Sequence, residues 1–169
     1  MSQQLEVWMR GPVDGIPALL QPVAHTLLQA QEEIHIYLKD FPAKKLWERP
    51  AGCASVGFHL QHIKGVLDRL FTYADARSLT DTQLDDLAAE GKPADHLTLP
   101  FLLAALDAQF TISIEKLKAT PEYALSVPRG VGRKQIPTTL GGLLFHAAEH
   151  TMRHTGQLFV TIRVLKHQD

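Results

Sequence analysis

The chain holds a single cysteine, Cys53, so no disulfide can close within it. That suits a reducing compartment, and a cytoplasmic setting is expected. Long apolar runs are missing as well. The longest are of the kind Leu102-Leu103-Ala104-Ala105-Leu106, far short of the roughly 20 residues that span a bilayer. Charge of one sign is missing too: the net charge is −1 with histidine neutral. There is no strongly basic face for nucleic acid and no acidic tail to mimic one. The opening residues carry Glu6, Arg10 and Asp14 and no apolar h-region, so a signal peptide is not expected. Internal repeats and low-complexity tracts are absent. Neither nucleic acid nor a membrane is therefore an expected partner, and a small-molecule substrate must be argued from a site.

What is present is enough chain for one core and an ordinary supply of apolar residues. Length and the 45% hydrophobic and 21% charged fractions fit one globular domain spanning 1–169. The opening through Gly15, punctuated by glycine and proline, reads as extended. Pro17 suits the first turn of a helix. From there to about Lys39, Leu19, Leu20, Val23, Leu27, Leu28, Ile34 and Leu38 keep one face apolar, the signature of an amphipathic helix. Asp40-Phe41-Pro42 stops it.

The stretch from Phe41 to Cys53 reads as a connection in which Trp47 covers a bundle end. A second helix opens at Ser55, a good N-cap, and runs to about Ala76. Gly57 and Gly65 within it each cost roughly 1 kcal/mol against alanine, which suggests close approach of a neighbouring helix or a ligand. Thr80 to Glu90 reads as a short helix with Leu84, Leu87 and Ala88 inward, ended by Gly91-Lys92-Pro93. A third long helix covers about Leu97 to Ala119, with Phe101, Leu102, Leu106, Phe110, Ile112, Ile114 and Leu117 on its apolar face.

Pro121 to Pro137 is a long polar, basic connection. It is expected to arch over one end of the bundle, with short extended pieces at Val127 and Gln135-Ile136. A last helix covers about Thr138 to Lys166, with Leu143, Leu144, Ala147, His150, Thr151, His154, Leu158, Thr161 and Leu165 inward. Four long amphipathic segments predict an all-α fold: an up-down-down-up four-helix bundle with a short extra helix and a long connection before the last helix.

Histidine is the residue in surplus. Of nine, five fall in two clusters: His59 and His62 on the second helix, and His146, His150 and His154 on the last. Residues four apart lie one turn apart on nearly the same face, separated by roughly 6 Å along the axis. Two such imidazoles can share one ion. Each further step drifts by about 40° around the axis, so one helix supplies two ligands well and a third badly. The remaining ligand is expected from the other helix. Spacing leaves the choice among the five open. The plainer alternative keeps His59, His62 and His146 as partly buried polar residues at the bundle ends.

Neutral imidazoles without a thiolate suit zinc, nickel, iron(II), cobalt or manganese. Three protein ligands leave a position open, as catalytic sites do. Calcium would want oxygen ligands. A di-iron centre would need paired Glu-x-x-His motifs, and Glu149 directly precedes His150 instead. Cys53 has no motif around it and reads as a buried or idle thiol.

The segment Leu144-Phe-His-Ala-Ala-Glu-His-Thr-Met-Arg-His-Thr-Gly-Gln-Leu158 resembles the last-helix motif of the DinB-like superfamily. Ser55-Val-Gly-Phe-His-Leu-Gln-His-Ile63 resembles that family's second-helix motif. The resemblance implies a four-helix bundle with a histidine triad, and the matching positions for the metal are His62, His150 and His154. His59 and His146 become neighbours of the site, and Gln61, Gln157 and Glu149 are candidates to orient a ligand. The resemblance also implies metal-dependent transferases that use low-molecular-weight thiols such as mycothiol or bacillithiol, isomerases of the maleylpyruvate type, and a homodimer. Three functions are therefore carried forward: a thiol S-transferase acting on a small electrophile, a metal-dependent hydrolase, and a stress-linked metal-binding bundle without activity. Arg129, Arg133 and Lys134 are candidates to attract an anionic substrate. No catalytic side chain can be assigned.

Overall fold

The computed structural model describes residues 5–167. It is mostly helical, with five α-helices and one small two-stranded sheet among the described residues. The helices are α1 (Gln21–Leu38), α2 (Val56–Ala74), α3 (Asp81–Ala89), α4 (Leu99–Lys118) and α5 (Leu140–His167). The strands β1 (Pro128–Val131) and β2 (Ile136–Thr139) form an antiparallel hairpin that pairs Pro128 with Thr139 and Val131 with Ile136. None of these helices is long and apolar enough to cross a membrane.

Local chemistry sets the helix ends. The Ser55 hydroxyl accepts from the Phe58 N–H at 3.1 Å and caps α2. Thr80 and Gln83 form a reciprocal capping box at the start of α3, satisfying two amides that the helix leaves free. Thr98 caps α4. The first amides of α5 are held by the connection before it: Leu140 donates to the Val127 carbonyl at 2.9 Å and Gly141 to that of Leu125 at 2.8 Å. α1 begins later than Pro17 suggests. Pro17 precedes a short 3-10 turn, Ala18–Leu20, and Pro22 takes the first turn of the helix instead.

α2 and α1 each pack against both α5 and α4. One core joins them, built on Leu27 and Ile34 of α1, Leu60, Ile63 and Leu67 of α2, Leu106 and Phe110 of α4, and Leu144, Leu158 and Ile162 of α5. Trp47 packs where Gly57 lacks a side chain; a Cβ there would stand 2.5 Å from the indole ring. The close approach expected at Gly57 is thus made by the connection before α2, not by another helix.

Several expectations shift. Leu87, Phe101 and Ile112 are exposed, at 42%, 51% and 50%, because α3 buries no side chain and these positions on α4 lie off the covered arc. Leu84 is only half-buried and Ala88 is exposed. The segment before Gly15 contains a 3-10 turn at Val7–Arg10, and its expected extended part over residues 1–4 lies outside the described residues. The extended pieces of the long connection fall at Pro128–Val131 and Ile136–Thr139. This hairpin docks on the end of α2, where Arg129 Nε donates to the Ala74 carbonyl at 2.6 Å.

Candidate metal centre

The structure brings His62, His150 and His154 together, with one ring nitrogen of each within 4.8 Å of the others. α2 delivers His62, and α5 delivers His150 and His154 one turn apart. The tight packing of α2 on α5 closes the gap that one helix alone could not. The Nε2 atoms of His62 and His150 stand 3.0 Å apart. His154 lies beside both, its ring centroid 4.3 Å from that of His62 and 4.6 Å from that of His150. Phe58 stacks on the ring of His62, 5.1 Å away and only 12° from parallel.

His62 has a partner that spacing did not suggest. Its Nδ1 stands 2.6 Å from Glu90 Oε2, and the second carboxylate oxygen accepts from Arg69 Nη1 at 2.7 Å. Glu90 and Arg69 are nearly buried. Burial opposes ionisation of Glu90, but hydrogen bonds from His62 and Arg69, and their charges, outweigh it and hold the carboxyl below its ordinary range. Gly65 makes the room, since a Cβ there would meet Arg69 Nη1 at 2.5 Å and Glu90 Oε1 at 2.6 Å. Gln61 does not orient a histidine. It accepts from the Gly91 amide at 2.8 Å and so holds the end of α3 against α2. One signal for this pair was available: Arg69 falls among Val66, Leu67, Leu70 and Phe71, and a cation on an apolar face calls for an acid.

The other histidines separate clearly. His59 is buried, and its Nδ1 stands 3.3 Å from His154 Nδ1. His146 is exposed and pairs with Glu149 at 2.7 Å, while the other oxygen of Glu149 takes Arg153 at 2.6 Å. His146, Glu149 and His150 form a second, more exposed group of close donors. His25, His35 and His96 lie elsewhere: His25 on the Gly11 carbonyl, His35 on Asp107, His96 edge-on to Phe101.

Burial disfavours the charged forms of His59, His150 and His154. It pushes His59 and His154 down to about 4, with further lowering from neighbouring His62 and, for His154, from His150, His59 and Arg153 as well. His150 is lowered by burial and by His62, His146 and Arg153, against a smaller opposing pull from Glu149. Neutral imidazoles are the form that binds a metal.

The donor set fits a divalent ion. Glu90 is an acceptor when ionised, so His62 Nδ1 carries the proton and Nε2 presents a lone pair. Across 3.0 Å, His150 must then either donate from Nε2 or share a cation. Its Nδ1 is buried and has no hydrogen-bond partner. A divalent ion held by His62, His150 and His154 would relieve the opposition of the two Nε2 lone pairs, and these three imidazoles are close enough to share one. Carboxylate, histidine and metal in series is also a recurrent arrangement.

The basic connection does not reach this cluster. Arg129 and Arg133 line a groove of ≈ 920 Å³ with Tyr73, Arg77 and Leu84, and no histidine borders it. A different groove, of ≈ 600 Å³, runs beside the cluster, lined by Cys53, His59, Arg153, Gln157 and Val160. Cys53 is exposed and free there. None of the curated proteins compared with the chain matches it. The family model of the DinB superfamily matches residues 26–158, a span that holds all five clustered histidines.

Proposed function

The chain belongs to the DinB superfamily, and from that premise we propose a divalent-metal-dependent enzyme of the thiol S-transferase type, acting on a small electrophile. His62, His150 and His154 would hold the ion, with zinc, nickel, iron(II) and manganese the metals this donor set suits. The convergence of three imidazoles from two helices, with His150 and His154 held toward their neutral forms by burial, supports the reading most directly. When bound, such an ion supplies Lewis acidity that favours the thiolate form of a low-molecular-weight thiol.

The chain's own part is to position and exclude. α2 and α5 set the imidazoles at their separations. Phe58 covers one face of His62 and keeps water from it. The groove lined by His59, Arg153 and Gln157 offers a place for the electrophile beside the cluster, and Gly156 leaves its mouth open because nothing lies within 4 Å of a Cβ built there. A hydrolase would need a base close by. The oxygens of Glu90 are taken by His62 and Arg69 and those of Glu149 by His146 and Arg153, which favours the thiol reading.

The pairwise packing of α1 and α2 on α4 and α5 supports the up-down-down-up four-helix bundle of the family. The single buried core supports one domain over 1–169. A cytoplasmic setting suits the free thiol of Cys53. The homodimer rests on family resemblance alone.

Metal analysis of the untagged protein beside the His62→Ala variant tests the centre: a stoichiometric ion in the first should be lost in the second. Thiol binding and consumption of a model electrophile, measured with and without metal and in His150→Ala, test the reaction. If neither depends on the metal, the transferase reading fails. If His150→Ala binds no metal and unfolds, the ion is structural and the non-enzymatic reading takes its place.

A further inference from the structure

The pair formed by Glu90 and Arg69 lies behind His62, on the side away from His150. Four features build it. Gly65 clears the space that both side chains occupy. Gln61 clamps the Gly91 amide at 2.8 Å, and Gly91 itself adopts φ +81°, a left-handed turn that favours glycine. Both polar ends are nearly buried, 8% exposed at Glu90 and 10% at Arg69. Finally, the two carboxylate oxygens are divided between two donors, Oε1 with Arg69 at 2.7 Å and Oε2 with His62 at 2.6 Å.

We propose that Glu90, held in place by Arg69, is a positioning residue that fixes His62 in the tautomer whose Nε2 lone pair faces His150. A carboxylate only accepts, so the proton of His62 must sit on Nδ1. Arg69 only donates, so it pins the other oxygen and stops the carboxylate from turning. The short helix α3, which buries no side chain of its own, is thereby made part of the histidine centre. The proposal rests on the reading of that centre as a metal site. It goes beyond it by naming the group that prepares the ligand from α2.

Exchange of one oxygen for an amide nitrogen tests it. In Glu90→Gln, Arg69 keeps the single carbonyl oxygen and the NH2 group turns toward His62. Nδ1 must then accept, and the proton moves to Nε2, where it blocks the ligand lone pair. In the double variant Arg69→Met with Glu90→Gln, the amide is free to turn its oxygen back to His62, and no buried guanidinium is left unpaired. Nitrogen-detected NMR of the metal-free proteins should show His62 as Nδ1–H in the wild type, Nε2–H in Glu90→Gln, and Nδ1–H again in the double variant. Competition with a chelating dye for zinc(II) should show a loss of roughly 10- to 100-fold in Glu90→Gln and recovery of much of it in the double variant.

The proposal is overturned if His62 in Glu90→Gln stays Nδ1–H, or if the folded double variant has His62 as Nε2–H. A failure of the metal reading looks different: the wild type takes up no zinc, while the tautomer series in the metal-free proteins still decides for or against Glu90.

Discussion

His59 and His154 face each other through their Nδ1 atoms, 3.3 Å apart across the contact between α2 and α5. One of the two must carry the proton for that contact to be a hydrogen bond. An imidazole that binds metal through Nε2 keeps its proton on Nδ1, so with His154 as a ligand through Nε2, His154 would be the donor and His59 the acceptor. His59, only 3% exposed, then does for His154 what Glu90 does for His62, but with no charge. His59→Ala should weaken zinc affinity by about 10-fold, the lower end for loss of such a partner. His59→Gln, whose carbonyl oxygen can still accept, should retain more of it. Chelator competition on both variants checks the order. Equal affinity in His59→Ala and wild type would leave His59 a packing residue.

The low values of His59 and His154, both about 4 against an ordinary 6.5, predict how the metal-free protein responds to acid. Between those limits the unfolded chain binds protons at these positions and the folded chain does not. Stability therefore rises with pH across that window and is lost as pH falls from about 6.5 toward 4. Glu90, held low by His62 and Arg69, extends the loss further into acid, since its contribution disappears as the pH drops through its lowered value. Urea unfolding of the metal-free protein across a pH series should show this slope. His59→Ala should flatten it.

Much of the frame was legible because it depends on neighbours in sequence. Ser55 and Thr80 cap helices through amides only three residues ahead, and the repeat His146, His150, His154 declares a shared helical face. The pairing of Glu90 with His62 was hidden because it spans 28 residues and depends on how α3 folds back. Arg69 on an apolar face was the clue, and Gly65 beside it the confirmation of a close approach, though by side chains and not by a helix. Phe101 and Ile112 were placed inside by periodicity alone, which cannot tell the covered arc of α4 from its flank. Extended pieces were expected near Val127 and Gln135-Ile136, but their bounds and pairing were not, because these residues, rich in glycine, proline and charge, carry no alternating pattern; only pairing across the turn defines the hairpin.

α3 is the weakest-anchored helix and should show it. It buries no side chain, so its placement depends on the Thr80 cap, on Gln83 Nε2 donating to Thr72 Oγ1 at 2.9 Å, and on Glu90. Thr80→Ala removes the cap and should cost about 0.5–2 kcal/mol. Because the core lies elsewhere, the cost should appear first as local opening. Hydrogen exchange should quicken across Asp81–Ala89 while the amides of α2 and α5 keep their protection. Uniform loss of protection over all five helices would contradict this.

Two glycines on the helices that carry the histidines should respond oppositely to alanine. At Gly57 a Cβ would stand 2.5 Å from the rigid Trp47 ring, so the indole or α2 must shift. Overpacking of this kind costs typically about 1–3 kcal/mol. At Gly156 nothing lies within 4 Å of a Cβ, and the position is inside α5. There alanine removes backbone freedom from the unfolded chain and should stabilise by roughly 0.4–1 kcal/mol. Thermal melts of Gly57→Ala and Gly156→Ala should therefore move to opposite sides of the wild type. Gly156→Ala also narrows the mouth of the groove beside His59, so it should slow turnover of a bulky electrophile more than that of a small one. If activity falls equally with both, the electrophile does not enter there.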